Sequence, residues 1–182
     1  MSTEKRESWV MYPSSINSNI VQEIIDIAGE TDKAEVFRKG SDDIRKSRVS
    51  WLKDKRILNL LYDHVGLANF NVFNFHIYNV ADIQYTEYLA TEGGHYGWHH
   101  DINWTSNAKL ERKLSVTVQL SDPSEYKGGD FVFDECISPD AKILKQKGTV
   151  LVFPSYLRHK VEPVTKGIRR SLVAWFEGPR FK

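Results

Sequence analysis

Leu114-Ser115-Val116-Thr117-Val118-Gln119-Leu120 alternates without interruption between apolar and polar side chains. In an extended strand successive side chains leave opposite faces. Leu114, Val116, Val118 and Leu120 therefore share one face, and Ser115, Thr117 and Gln119 share the other. Such a strand packs an apolar layer on one side and lines a wet pocket on the other. The end of the chain repeats the pattern, with Arg169, Ser171, Val173 and Trp175 on one side and Arg170, Leu172, Ala174 and Phe176 on the other. One face of that second strand sets a charge beside a hydroxyl.

Working outward, the N-terminal third has the other period. Ile20, Val21, Ile24, Ile25 and Ala28 recur at helical spacing between Asn17 and Gly29, and Ile57, Leu58, Leu60, Leu61 and Val65 do so in a second helix from about Leu52 to His64. Between them Glu30 to Ser50 is charged and loop-like, with Arg45, Arg48 and Trp51 standing out as more than solvated surface. From Phe70 the period returns to two. Phe73, Phe75 and Ile77 alternate with polar residues as in a half-buried strand, and short strands separated by Gly, Pro and Asp turns continue to the end. Helices followed by about eight strands predict a mainly β fold with N-terminal helices, a double-stranded β-helix (jelly roll, cupin-like) core. The expected organisation is a single domain over residues 1–182, with helical support to about residue 68 and the jelly roll from about 70 to 179.

The bulk properties narrow the function. A formal net charge of +1 gives none of the basic footprint of a nucleic-acid binder. The one cysteine, Cys136, excludes an intrachain disulfide and fits a reducing compartment. The chain opens with charged residues, no apolar run approaches a membrane span, and the expectation is a soluble cytoplasmic protein.

The chemistry begins at Tyr96-Gly-Trp-His-His-Asp101. His99 and Asp101 are two residues apart and share a strand face, so both reach one metal. Two histidines and one carboxylate on one face are the usual set for iron(II) that must also bind a co-substrate and dioxygen. His159, after the apolar strand Thr149 to Phe153, is the best third ligand. Arg169 follows within Gly-Ile-Arg-Arg-Ser, and a hairpin turn at Gly167 would return it antiparallel to the metal. Its guanidinium suits the distal acid group of a dicarboxylate.

In order, the chain carries the His-x-Asp at His99, an arginine-led strand from Arg112, Tyr126-x-Gly-Gly129, Gly148-Thr with Phe-Pro-Ser155, His159 with Val-x-Pro-Val, and Gly167-x-Arg-x-Ser171. These motifs resemble the iron(II)- and 2-oxoglutarate-dependent dioxygenases, and among them the prolyl 4-hydroxylase-like group that includes the PKHD-type hydroxylases. The resemblance covers roughly Gln84 to Pro179. It implies that His99, Asp101 and His159 bind iron, and that Arg169 and Ser171 hold the 2-oxoglutarate carboxylate. It also places Tyr88 and Tyr96 in the pocket wall. Where many relatives have a tyrosine that bonds 2-oxoglutarate, this chain has Gln119. The implied cofactors are Fe(2+), 2-oxoglutarate and O2, with ascorbate as reductant.

Bland roles compete with functional ones. His100 has the opposite parity to His99 and is not expected to be a ligand. Trp98, Trp104 and the loop residue His95 are candidate substrate contacts, Trp51 and Trp175 are read as core, and Arg48, Arg112 and Arg158 as solvated or structural. Three functions follow: hydroxylation of a prolyl residue in a protein or peptide, releasing succinate and CO2; the same chemistry on a small molecule or another amino acid; or, in a different class, a non-catalytic cupin-like metal- or ligand-binding protein. No nucleic acid or membrane partner is expected.

Overall fold

Leu114 to Gln119 do lie in a strand, and its two faces separate the two halves of the protein's interior. The computed structural model describes residues 7–34 and 44–181. The charged start at residues 1–6 and much of the charged segment before Ser50 lie outside these. In chain order the strands are β1 (Val10–Tyr12), β2 (Asp32–Lys33), β3 (Arg45–Lys46), β4 (Arg48–Leu52), β5 (Asn79–Leu89), β6 (His95–His99), β7 (Leu110–Gln119), β8 (Tyr126–Gly128), β9 (Phe131–Phe133), β10 (Val150–Pro154), β11 (His159–Val161) and β12 (Val164–Pro179). The helices are α1 (Ser18–Ala28), α2 (Lys55–Ala68) and the short α3 (Ala141–Leu144).

The major sheet runs β1-β10-β7-β12-β5-β4-β2, with β8 added to β12, and the minor sheet runs β3-β6-β11-β9. The pairings are antiparallel, and the mostly β, two-sheet architecture is the expected jelly roll. Both long helices are capped by side chains. Asn17 accepts from the Ile20 amide, and Asp54 accepts from those of Arg56 and Ile57. Val21, Ile24 and Ala28 of α1 and Ile57, Leu61, Val65 and Ala68 of α2 are buried against the apolar face of the major sheet. That face consists of Leu114, Val116, Val118 and Leu120 with Val150, Val152, Leu172, Ala174 and Phe176. Each fully buried aliphatic side chain contributes about 1.5–3 kcal/mol, so this layer anchors the sheet whose other face forms the pocket. A second cluster, including Tyr88, Tyr126, Phe131, Phe133, Leu151 and Phe153, fills the space between the sheets.

Four expectations need correction. The second helix starts and ends later than its apolar spacing implied, because Asp54 sets its start and Gly66 lies within it. Phe73, Phe75 and Ile77 do not form a strand. Asn69–Phe73 is a π-helical turn ended by Asn74 in the left-handed region (φ 53°), and β5 begins only at Asn79. The Asn69 amide brackets the backbone of Phe75, donating to its carbonyl and accepting from its N–H, both at 2.8 Å. Gly167 does not make a hairpin between β11 and β12. It pairs with Tyr126 of β8, just past a bulge between Val164 and Lys166, with positive φ, where a Cβ would collide with the Glu125 carbonyl. The chain instead changes sheets after β11. Finally, Trp51 is not core: it is 54% exposed, whereas Trp175 is buried as expected. No helix among the described residues is long and apolar enough to cross a membrane.

Candidate active site

The polar face of the major sheet and the inner side of the minor sheet enclose a cavity of about 240 Å³. Cross-strand register assembles its centre. His99 on β6 lies directly opposite His159 on β11. Asp101 follows β6 in a bend held by Ser155, whose carbonyl accepts from the amides of Asp101 and Ile102 at 3.0 and 3.1 Å. The potential ligand atoms of His99, Asp101 and His159 all lie within 4.8 Å of one another. His99 Nε2 is 3.6 Å from Asp101 Oδ1, and His159 Nε2 is 3.7 Å from Asp101 Oδ2.

The donor set fits a cation. His99 Nδ1 lies 2.8 Å from the Gly97 carbonyl and His159 Nδ1 2.9 Å from the Leu157 carbonyl. A carbonyl only accepts, so both rings carry their proton on Nδ1, and in the neutral ring Nε2 presents a lone pair to the carboxylate. Burial pushes the His159 imidazole down to about 4, against the opposing pull of Asp101. Burial alone would raise the Asp101 carboxyl, but the histidines when protonated, together with the Ser115 hydroxyl, hold it well below the usual carboxylate range. Two lone pairs and an anion converge on one point, an arrangement that a divalent metal relieves.

Packing fixes these side chains. Tyr96 stacks on His99 with ring centroids 3.5 Å apart, and Phe131 stacks on His159 at 5.1 Å. Ser115 Oγ donates to Asp101 Oδ2 at 2.6 Å and lies 2.9 Å from Ser155 Oγ. Neither serine was expected in this role. The link requires β7 to lie beside β10, with Ser115 opposite Phe153, a pairing invisible in a linear motif.

Arg169 lies in β12 opposite Tyr88 and is only 4% exposed. Its Nη1 donates to Ser171 Oγ at 3.4 Å, and its guanidinium lies 5.5 Å from the Tyr88 ring centroid. Among the described residues no carboxylate is within ion-pair distance of it. A buried guanidinium without a counter-charge is costly, so the site fits an anionic ligand as well as a cation. Gly129 of the Tyr-x-Gly-Gly motif gives Arg169 its space. A Cβ there would lie 2.9 Å from Arg169 Cδ, on a backbone with φ 64°.

Ser171, Tyr88 and Tyr96 line the cavity with the ligand cluster, as do Arg45, Gln84 and Arg112. Gln119 does not line it: its amide donates to the Ser121 carbonyl and the Tyr126 hydroxyl at 3.1 and 3.2 Å. Burial raises the pKa of that Tyr126 phenol, while the nearby Arg169 opposes the rise. Trp98, Trp104 and His95 fall outside the lining. Trp98 is exposed beneath Lys160 and Arg158, Trp104 is 57% exposed, and His95 Nδ1 lies 2.7 Å from the Gly93 carbonyl. The tryptophans that line the cavity are instead Trp51, exposed at its mouth, and the buried Trp175. His100 is exposed at the rim, as its parity implied.

Residues 83–177 match the family model described as the 2OG-Fe(II) oxygenase superfamily, and the chain belongs to that superfamily. A PKHD-type hydroxylase of Prochlorococcus marinus is 30% identical over 133 residues, which cover 73% of this chain and 56% of that protein. The chain therefore spans little more than half the length of that relative. The fold is shared with the solved viral collagen prolyl hydroxylase of Paramecium Bursaria Chlorella virus-1 in its 2OG complex, with a TM-score of 0.74 at 20% identity, covering 94% of this chain and 97% of that one. It is shared also with a Trichoplax adhaerens prolyl hydroxylase in complex with a hypoxia inducible factor peptide fragment, with a TM-score of 0.73 at 16% identity, covering 93% and 83%.

Proposed function

We propose that this chain acts as one catalytic domain, an iron(II)- and 2-oxoglutarate-dependent oxygenase that hydroxylates a C–H bond of a prolyl residue in a protein or peptide. The observation that carries this reading is the pairing of unlike demands in one cavity. The His99–Asp101–His159 cluster calls for a cation, and buried Arg169 calls for an anion.

Iron(II), 2-oxoglutarate and dioxygen supply the oxidising chemistry when bound, with succinate and CO2 as by-products and ascorbate as an assay reductant. The protein's part is placement. The two Nε2 atoms and the Asp101 carboxylate would hold the metal. Arg169 and the Ser171 hydroxyl bind the distal carboxylate of the co-substrate, with Tyr88 packed beside the guanidinium. Tyr96 fixes the His99 ring, and the second core cluster keeps water from the far side of His159.

The prolyl-peptide substrate is supported by the likeness to solved prolyl hydroxylases, one of them with a bound peptide fragment, and by the aromatic mouth, a common setting for proline rings. Incubation with iron(II), ascorbate, 2-oxoglutarate and a panel of proline-containing peptides should add one oxygen atom to a peptide only when 2-oxoglutarate is present. Modification of a free amino acid in place of every peptide would overturn the peptide reading and leave the oxygenase reading standing.

A further inference from the structure

The cavity holds more positive charge than the proposed chemistry uses. Arg45, Arg112 and Arg169 line it, and among the described lining residues Asp101 is the one carboxylate. Iron(II) and a dianionic co-substrate cancel each other, so loading the site leaves two positive charges unmatched. Elsewhere Arg48, Arg56, Arg158 and Arg170 each have a carboxylate partner. Among the described residues, the three arginines of the cavity have none.

Among the described residues, the contacts of Arg45 and Arg112 are neutral ones. Arg45 donates to Gln84 Oε1 at 2.8 Å and Ser47 Oγ at 2.7 Å, and its guanidinium lies 4.7 Å from the Tyr96 ring centroid. Arg112 lies 3.9 Å from the Trp175 ring centroid and donates to the Asp101 carbonyl at 3.4 Å. Both are half-buried. Each guanidinium has five N–H donors, so each keeps donors for a ligand. Arg112 also stands away from Arg169. Trp175 is six residues along β12 from Arg169, roughly 20 Å of strand. Arg45 and Arg112 both open on the same cavity.

We propose that Arg45 and Arg112 form an anion-binding pair at the cavity mouth that selects a substrate with a carboxylate beside the C–H group to be oxidised. This rests on the oxygenase reading, which commits Arg169 to the co-substrate. The carboxylate is either an aspartyl or glutamyl side chain next to the reacting residue, or a terminal carboxylate on that residue. A charge-assisted hydrogen bond corresponds to a factor of about ten or more in affinity.

The test uses protein loaded with Mn(II) and saturating 2-oxoglutarate, which keeps Arg169 occupied and prevents turnover. Calorimetric titrations compare N-acetyl-prolyl-aspartyl amide with its asparaginyl counterpart, and N-acetylproline with N-acetylprolinamide. The expected result is an advantage of about tenfold or more for the acid in one pair, and which pair shows it identifies the source of the carboxylate. That advantage should disappear in the Arg45→Gln/Arg112→Gln double variant and survive in part in Arg45→Lys/Arg112→Lys, whereas a merely structural role would be lost equally in both. Equal affinities in both pairs, no binding by either acid, or an advantage that persists in the glutamine variant would overturn the pair. A separate 2-oxoglutarate titration distinguishes the two failures. Wild-type protein that binds 2-oxoglutarate but not the acids refutes the pair alone, and failure to bind 2-oxoglutarate refutes the oxygenase reading beneath it.

Discussion

Ser115→Ala should weaken metal binding by about tenfold to a hundredfold while leaving the fold intact. The Ser115 hydroxyl is completely buried and its 2.6 Å bond to Asp101 Oδ2 is charge-assisted. Bonds of that kind contribute about 1.5–3 kcal/mol, one to two decades at about 1.4 kcal/mol per decade. Two effects oppose. The hydroxyl draws electron density from the carboxylate, so its loss makes Asp101 a slightly better ligand, but its loss also frees the carboxylate to rotate away from both Nε2 atoms. Orientation should win, because the bonds from the Asp101 amide to the Ser155 carbonyl and from Arg112 to the Asp101 carbonyl hold the backbone and not the carboxylate. Anaerobic calorimetry with iron(II), or with Mn(II) in air, measures the change, and a melting curve checks the fold. Ser155→Ala is the control: Ser155 Oγ meets Ser115 rather than the carboxylate, so its effect should be clearly smaller. Metal affinity in Ser115→Ala within about twofold of wild type, or an equal loss in Ser155→Ala, would refute the reasoning.

Gly129→Ala would press a methyl group against Arg169 Cδ and Val164 Cγ2. The KM for 2-oxoglutarate should rise about tenfold, as for a lost charged contact, with metal affinity unchanged; steady-state kinetics beside a metal titration separates the two. Leu61, fully buried where α2 meets the sheet, should lose about 2–5 kcal/mol of stability on replacement by alanine, read from urea unfolding. The metal-free protein should also weaken in acid. His159 falls to about 4 from its ordinary 6.5, so between those values the unfolded chain binds more protons and stability drops as pH falls. Linkage sets this loss at up to about 2 kcal/mol between pH 7 and 5. Urea midpoints at the two pH values should show the loss in wild type and a flatter response in His159→Gln; a midpoint that rises in acid contradicts it.

What could be read from the sequence follows from how locally each feature is encoded. The parity of Leu114 to Leu120 survives because each of these seven residues is buried on one face or the other. That His99, Asp101, His159 and Arg169 gather around one cavity was legible because few residue types can serve as ligands to a metal or an anion. Phe73 to Ile77 misled because alternation can arise without a strand: the Asn69 amide and left-handed Asn74 impose a turn that the apolar pattern does not register. Trp51 misled because its large apolar side chain suggests burial, whereas β4 carries it to an open mouth. The Ser115–Asp101 bond, the Arg45–Gln84 contact and the space Gly129 leaves for Arg169 each join segments distant in sequence. They appear only once strand register and the facing of the two sheets are known.

The central claim is that one cavity holds a metal on His99, Asp101 and His159 and a 2-oxoglutarate carboxylate on Arg169. Succinate formation from 2-oxoglutarate by wild type and by Asp101→Ala, with and without iron(II), tests it most directly. The account predicts iron-dependent succinate from wild type and none above background from the variant. Equal succinate from both would contradict the metal assignment, and none from wild type in the presence of substrate peptides would leave a binding protein in place of an oxygenase.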